Sequence, residues 1–557
     1  FPPRIAVLAR SMMTNTQDVN GASSATTLDV LVIGGGFGGC YMLKLLRENG
    51  FETKLIDAAP RLGGVWAWNR YPGARVDVEM PCYSFSDPAV LNTYTWTERY
   101  PSDLDLRRYF DHVDQIWNLS KDVEFDTQVT ECVYDEHSGS PRWIVRTKNG
   151  RVYDCKWVIS ATGTSFKQYI PDWQDMSEFK GVIGHSSLWP DNVDLSGKRV
   201  GIIGAGSTAL QVMQEAAKVA SNVTQFIRTP NLALPMRQRK VSEEEIDAYR
   251  PQFPHLMKSL RSTPAALPTV GNPRRTFDVS DEERRAIWEE GWKRGGFNWS
   301  IGGFSDTLLD REANKEAYKF WREKTLPRMQ NKQKASLLIP EEMPYWIGTK
   351  RPSLEQDYYE CCDRPKVEIT NSPIVRFTET GVVAEDGERS FEVVVVATGY
   401  DAVTGGLRTM GVIGKDGIAL DHKWNAGIST HLGMMVNGFP NFYMIYGPQS
   451  PTSLSNGPPF LELQVEWIID VLRKQREERL DAVEAKQSEE DKWRQQTHDL
   501  ANATLAVETN SWYMGANVPG KRREFLIYMG GVPTWHKACI DALEDWKGFD
   551  TSATSRL

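Results

Sequence analysis

Two glycine-rich turns are placed to hold nucleotide phosphates. Asp29-Val30-Leu31-Val32-Ile33 runs into Gly34-Gly35-Gly36-Phe37-Gly38-Gly39, and Arg199-Val200-Gly201-Ile202-Ile203 runs into Gly204-Ala205-Gly206-Ser207-Thr208-Ala209. In such a turn the first glycine permits a tight bend and the second lets bare backbone approach a pyrophosphate. A small third residue lets the next helix pack close, so that amides at its positive end face the phosphates. Gly34, Gly36 and Gly39 take these places in the first turn. Gly204, Gly206 and Ala209 take them in the second, with Ser207 and Thr208 opening the helix. Each turn implies a dinucleotide site. Asp57 ends the next strand, Glu52-Thr53-Lys54-Leu55-Ile56, where an acid accepts hydrogen bonds from a ribose. The matching strand of the second unit, Asn222-Val223-Thr224-Gln225-Phe226-Ile227, ends instead in Arg228-Thr229-Pro230. A cation and a hydroxyl there suit the 2′-phosphate of NADP, which an acid would repel.

These residues need strand–turn–helix units to carry them. After Gly39, Cys40 to Leu46 is apolar at helical spacing, and residues 104 to 119 predict another helix. Strands are predicted at Trp143-Ile144-Val145-Arg146-Thr147, at Val152-Tyr153-Asp154-Cys155 and at Trp157-Val158-Ile159-Ser160-Ala161-Thr162-Gly163. The Ala-Thr-Gly ending returns after Val393-Val394-Val395-Val396 as Ala397-Thr398-Gly399, and each copy alone reads as a buried strand and turn. Residues 236 to 342 change to charged helical segments, with Ser242-Glu243-Glu244-Glu245 opening as a capped helix and Asp281 to Trp288 starting another. Later helices are predicted over 462 to 475 and over 480 to 505.

Composition narrows the class. At 557 residues, 25% charged and 40% hydrophobic, the chain holds two or three structural units, and no apolar run nears the roughly 18 residues that span a bilayer. No membrane span is expected. The net charge of −8 arises from intermixed charges, which leaves no basic footprint for nucleic acid. Cys40, Cys82, Cys132, Cys155, Cys361, Cys362 and Cys539 are scattered without a Cys-x-x-Cys spacing. That fits a reducing compartment and counts against both a structural metal site and a redox-active disulfide. Residues 1 to 27 read as a disordered or cloning-derived tail, although Arg4 and Arg10 around a short apolar run also fit a weak organelle presequence.

Between the turns lies Phe179-Lys180-Gly181-Val182-Ile183-Gly184-His185-Ser186-Ser187-Leu188-Trp189-Pro190. Its order, Phe-x-Gly-x-x-x-His-x-x-x-Trp-Pro between two dinucleotide sites, resembles the fingerprint of the Baeyer-Villiger monooxygenases. Those flavoenzymes insert one atom of dioxygen beside a ketone carbonyl. The resemblance runs from Leu28 to about Gly548 and implies FAD in the first unit and NADPH in the second. It also implies oxidation of a ketone to an ester or lactone by dioxygen through a C4a-peroxyflavin, with sulfoxidation as a possible side activity. The loop from Leu62 through Gly64, Trp66, Tyr71 and Asp77 is similar to the family's flavin-wrapping loop, which implies cofactor contacts there and at Tyr83. Trp66 and Trp68 read equally as core anchors, and Asp77 as half of a surface ion pair. For Gly348-Thr349-Lys350-Arg351 spacing alone favours a solvated basic turn. The resemblance implies instead that Lys350 reaches the NADP 2′-phosphate and that Arg351, oriented by Asp77, is the catalytic cation. Residues 445 to 456 look like the family's flavin- and substrate-facing loop. Ser511-Trp512-Tyr513-Met514-Gly515 resembles its C-terminal loop, which implies that Trp512 meets the nicotinamide cofactor, a plain core aromatic being the other reading. In two-dinucleotide flavoproteins the Ala-Thr-Gly pair marks crossings between domains. The Phe179 to Pro190 segment then reads as a linker coupling them, with Gly181 for backbone freedom and His185 and Trp189 as anchors.

The expected fold is α/β, with two Rossmann-like dinucleotide-binding domains and a helical insertion in the NADP domain. FAD is assigned to 28–165 and 400–557, NADP to 166–235 and 343–399, and the insertion to 236–342. The expected setting is cytoplasmic, as a monomer or weak oligomer, without nucleic acid or membrane. A flavin-containing N- or S-monooxygenase shares the turns but usually ends its fingerprint in an aromatic followed by a basic residue, and a non-catalytic nucleotide-sensing flavoprotein is the more distant alternative.

Overall fold

Apolar, β-branched runs bounded by glycines form strands buried on both faces, and a parallel sheet satisfies their backbones. The computed structural model of the protein describes residues 25–136 and 140–553. It opens with β1 (Thr26–Ile33), α1 (Phe37–Glu48) and β2 (Thr53–Ile56). Then come α2 (Asp103–Trp117), β3 (Val129–Asp135), β4 (Arg142–Thr147) and β5 (Val152–Ser160). Residues 1–24 of the expected tail lie outside the described residues, whereas Thr26 and Thr27 already belong to β1, paired with Tyr153 and Asp154.

The strands predicted separately at 152–155 and 157–163 are one strand, β5. It pairs with β1 along one edge, while its other edge carries β4 at Cys155 and a later strand at Val158. The register with β1 is the same on both sides of Lys156, so the strand runs through without a break.

The second sheet contains β6 (Val182–His185), β7 (Arg199–Ile203), α3 (Ser207–Val219) and β8 (Asn222–Phe226). Helices α4 (Glu243–Tyr249), α5 (Asp281–Arg294) and α6 (Arg311–Thr325) intervene before β9 (Val367–Thr370) and β10 (Val393–Val396). The order is β9-β8-β7-β10-β6, parallel throughout. Ser242 caps α4 by accepting the Glu245 amide. The charged text of the intervening helices hides an apolar face: Trp288, Trp292, Phe320 and Trp321 share a core with Val200, Ile202 and Leu210 of the sheet unit.

The chain then returns, because β11 (Phe442–Met444) pairs with β5 of the first sheet. It continues through α7 (Gly457–Glu477), β12 (Ala482–Ala485), α8 (Gln487–Asn502) and β13 (Phe549–Ser552). The helix expected over 480–505 therefore starts later. Its first residues form β12, drawn into antiparallel pairing by β13 from the far end of the chain.

Candidate active site

Each glycine turn is pressed against one Ala-Thr-Gly repeat. Gly34 has φ +110°, and a Cβ there would lie 2.5 Å from the Ala161 carbonyl oxygen. Gly204 has φ +131°, and its Cβ would lie 2.4 Å from the Ala397 carbonyl oxygen. The repeat and the turns are thus one packing arrangement used twice. A Cβ on Gly39 would come within 1.8 Å of the Gly34 oxygen, so only glycine lets α1 close on β1. Ala209, at the matching place, is fully buried.

Gly36 and Gly64 face one another, bare, in the wall of a cavity of about 510 Å³ that Asp57, Trp66, Asp77 and Tyr83 also line. The first turn of α1 has no acid, so its amides present uncompensated positive charge to that space. Asp57 accepts the Gly35 amide in a short hydrogen bond and the Ala59 amide at 2.7 Å. Burial pushes its pKa up against those two bonds. The acid expected to meet a ribose therefore also ties down the turn, and a carboxylate's remaining lone pairs still serve a hydroxyl.

Arg351 projects into the same cavity. Its Nε donates to Asp77 Oδ2 at 2.8 Å, Nη2 to Asp77 Oδ1 at 2.9 Å and Nη1 to the Ser453 carbonyl at 2.6 Å. The Phe297 ring lies 5.1 Å from the guanidinium carbon. Burial works against the charge, but Asp77 outweighs it and holds the proton more firmly than in an ordinary arginine. Asp77 is thus paired as a forked partner across the fold rather than at a surface. Tyr513 lies close by, its hydroxyl pushed up to about 12 by burial with Arg351 opposing.

The second cleft, of about 1170 Å³, is lined by Arg228, Thr229 and Lys350 together with Trp346, Asn510 and Ala516. Among the described residues neither Arg228 nor Lys350 has a carboxylate partner in an ion pair. The Lys350 ammonium stands 4.6 Å over the Tyr345 ring, and burial, then Arg228, lowers its pKa. Two cations that repel one another across an open cleft form a receptor for a doubly charged anion. The space over Gly206 is clear, and the first turn of α3 has no acid.

Other expected residues serve differently. Trp66 lines the first cavity and donates its indole N–H to the Tyr83 hydroxyl at 3.3 Å, so anchor and wall are one role. Tyr71 borders that cavity, but its hydroxyl donates to Gln211 of α3 at 2.8 Å, which makes it a tie between the two sheet units as well. Thr208 neighbours the same hydroxyl, and Ser207 joins the cavity wall with its hydroxyl 2.9 Å from Ser353 Oγ. Trp512 lines the first cavity too, not only a core.

The Phe179 to Pro190 segment lines neither cavity. Phe179 is fully buried against Phe377. Gly181 is not needed for backbone freedom, since its φ is not positive; a Cβ there would strike the Phe179 ring at 2.5 Å and the Glu392 carbonyl at 2.6 Å. Gly184 likewise makes room for Trp189, and Pro190 packs beside it. His185 donates Nε2–H to the Gly399 carbonyl at 3.1 Å and accepts the Ser187 amide on Nδ1 at 3.3 Å. Burial lowers its pKa to about 4, so it is neutral at working pH.

The residues present fit the two cofactors. Bare glycine backbone and an acid-free helix start suit the FAD pyrophosphate, and Asp57 stands beside them. The paired cations of the second cleft suit the 2′-phosphate of NADP. Ser453 falls in the expected flavin- and substrate-facing loop, but its carbonyl bond to Arg351 was not foreseen, and sequence reading missed Phe297 and Gln211. No local pattern could have found the Ser453 and Phe297 contacts, because each meets Arg351 from a distant segment.

A family model described as pyridine nucleotide-disulphide oxidoreductase matches residues 28–252. All seven cysteines are free and buried, so the match concerns nucleotide binding rather than disulfide chemistry. The chain is 38% identical over 531 residues to cyclopentanone 1,2-monooxygenase of Comamonas sp. (strain NCIMB 9872), covering 94% of this chain and 96% of that protein. It is 34% identical to cyclohexanone 1,2-monooxygenase of Acinetobacter sp., covering 95% and 97%. Among solved structures, cyclohexanone monooxygenase from Rhodococcus sp. Phi1 bound to NADP+ superposes with a TM-score of 0.91 at 36% identity, covering 95% and 100%. OTEMO in complex with FAD and NADP gives 0.90 at 33%, covering 94% and 99%.

Proposed function

The chain belongs to the Baeyer-Villiger monooxygenases, which oxidise ketones to esters or lactones with FAD, NADPH and dioxygen, and from that premise we propose that Arg351, held by Asp77, is its catalytic cation. When bound, FAD takes two electrons from NADPH and activates dioxygen. Everything else falls to the chain. Gly34, Gly36, Gly39, Asp57 and Gly64 seat the FAD phosphates and ribose, with Trp66, Tyr71 and Tyr83 walling the cavity. Gly204, Gly206, Ser207, Thr208, Arg228, Thr229 and Lys350 hold NADP.

Oxygen transfer to a carbonyl builds up negative charge, and a guanidinium answers it well because it keeps its proton at any working pH and offers several fixed donors. Two of Arg351's donors are spent on Asp77, which sets the orientation and compensates the half-buried charge. Trp512 and Tyr513 close the site from the C-terminal loop and limit water, which strengthens that electrostatic effect.

One observation carries the assignment: the forked Arg351–Asp77 pair stands in the wall of the cavity onto which the first glycine turn opens. Arg351→Ala tests it by rapid mixing and product analysis. The variant should bind FAD and accept electrons from NADPH, while ester or lactone formation falls roughly 100- to 1,000-fold. Undiminished ketone oxygenation would remove Arg351 from the role.

The two-domain division, with FAD in 28–165 and 400–557, NADP in 166–235 and 343–399 and the insertion at 236–342, is supported by the return of β11 to the first sheet. Free thiols support a cytoplasmic setting. No helix among the described residues is long and apolar enough to cross a membrane. A monomer or weak oligomer is the proposed state, read by sedimentation of the FAD-loaded protein.

A further inference from the structure

Distant segments of the chain converge on the second crossing, residues 399–402. The Gly399 carbonyl accepts both the Tyr169 amide at 2.9 Å and His185 Nε2–H at 3.1 Å. The Asp401 amide donates to the Lys167 carbonyl at 2.8 Å, and its carboxylate meets the Lys521 ammonium at 2.6 Å. Between them, the Tyr400 carbonyl accepts Asn517 Nδ2 at 2.7 Å. The Tyr400 hydroxyl lies 2.9 Å from Ser186 Oγ and 3.2 Å from Asn69 Oδ1, and its ring stands edge-on to His185. An amide oxygen only accepts, so the hydroxyl donates to Asn69 and receives its own hydrogen bond from Ser186.

We propose that Tyr400 is a positioning residue: its hydroxyl ties the cavity-wall loop to the fingerprint segment while its backbone carbonyl holds the C-terminal loop, so that both clefts are shaped together. Asn69 directly follows the one-turn helix Val65–Trp68, whose Trp66 and Trp68 line the first cavity. Asn517 belongs to the loop that places Trp512 in the first cavity and Ala516 in the second. Ser186 sits beside His185 at the end of β6, an edge strand of the NADP sheet. A parallel tie between Arg70 and Asp191 is exposed and holds weakly. The Tyr400 link is shielded, and its backbone neighbours at 399 and 401 cannot replace a hydroxyl. Its role is to relay, not to touch substrate. The inference rests on the function proposed above.

The test uses full-length, FAD-loaded protein carrying Tyr400→Phe, Ser186→Ala or both. Hydrogen exchange over residues 510–527 is measured without and with saturating NADP+, no ketone present. A second measurement is the ratio of ester or lactone formed to NADPH consumed. NADP+ should protect the loop in the wild type. Tyr400→Phe keeps the ring but should lose most of that protection. Its product ratio should fall roughly three- to tenfold, the range that one hydrogen bond supports. The balance leaves as hydrogen peroxide (NADPH + H+ + O2 → NADP+ + H2O2). Ser186→Ala should act alike, and the double variant no worse than either. Tyr400→Phe with wild-type protection and wild-type ratio overturns the proposal whatever its melting temperature, as does a wild-type loop that NADP+ leaves unprotected. Tyr400-dependent protection in a protein that makes no ester would sink the functional reading and leave the link standing.

Discussion

A guanidinium clasped by a carboxylate is a charge that pH does not switch off. Arg351 and Asp77 stand far apart in the chain, yet the forked geometry fixes the cation to within one rotamer. Replacing Asp77 by Asn keeps the shape and removes the compensating charge. Ester formation should fall roughly 10- to 100-fold, the scale of a lost charge-assisted hydrogen bond, and less than in Arg351→Ala. Turnover at saturating NADPH checks this, and an unchanged rate would mean that Asp77 neither orients nor balances Arg351. At the other cleft, Arg228→Ala or Lys350→Ala should raise KM for NADPH roughly tenfold or more while leaving the KM for NADH nearly unchanged. Parallel losses with both cofactors would place these cations outside the 2′-phosphate site. Their assignment was legible at Arg228, where strand spacing marks the position, but not at Lys350, whose turn reads by itself as solvated.

At the scale of elements, α7 carries a buried acid that the chemistry does not use. Glu462 is fully buried and accepts the Ser86 amide at 2.7 Å and the Ser86 hydroxyl at 2.6 Å. Burial raises its pKa from 4.5 to about 7, the Ser86 bonds and Arg261 opposing and Glu466 adding. The native state therefore binds this proton more tightly than the unfolded chain does. Its contribution to stability is greatest below pH 4.5 and declines as pH rises towards about 7. Glu462→Gln keeps the neutral hydrogen-bonding pattern, so its melting temperature should fall less than that of the wild type between pH 5 and 8. Equal slopes would show that the carboxyl titrates normally. Helical spacing revealed α7 itself, but no spacing reveals which polar residue on it ends in the core. The same gap explains β5 and β12: both were fixed by partners outside their own windows, so local patterns cut the first in two and read the second as helix.

For the molecule as a whole, two nucleotide units are stitched through their crossings. The Ala-Thr-Gly carbonyls at Ala161 and Ala397 press on the glycine turns, and His185 reaches from the fingerprint to Gly399. Because His185 is held neutral, with its pKa lowered to about 4, charging it costs native stability as pH falls from 6.5 towards 4. His185→Ala should disturb NADPH use and coupling more than it slows oxygen transfer, since the ring touches neither cavity. The check is the ratio of product to NADPH consumed beside the rate of ester formation from reduced enzyme. A variant with a wild-type ratio but a greatly slowed rate of ester formation from reduced enzyme would return His185 to the chemistry.

What the amino-acid sequence determined by itself was local and steric. Glycines at Gly34, Gly36, Gly39, Gly204 and Gly206 follow apolar runs, and an acid or a base stands where each second strand ends, because backbone conformation and strand length are set within a few residues. The resemblance carried by Phe179 to Pro190 extended that reading to Arg351 and Asp77. Tertiary structure alone decided that Ser453 and Phe297 complete the arginine's surroundings and that Tyr71 ties loop to helix. It also showed that Gly181 yields space rather than flexibility, and that Tyr400 stands at the joint of so many segments. Those facts depend on which surfaces meet when distant stretches pack, and close packing is a property of the whole chain that no window of neighbouring residues contains.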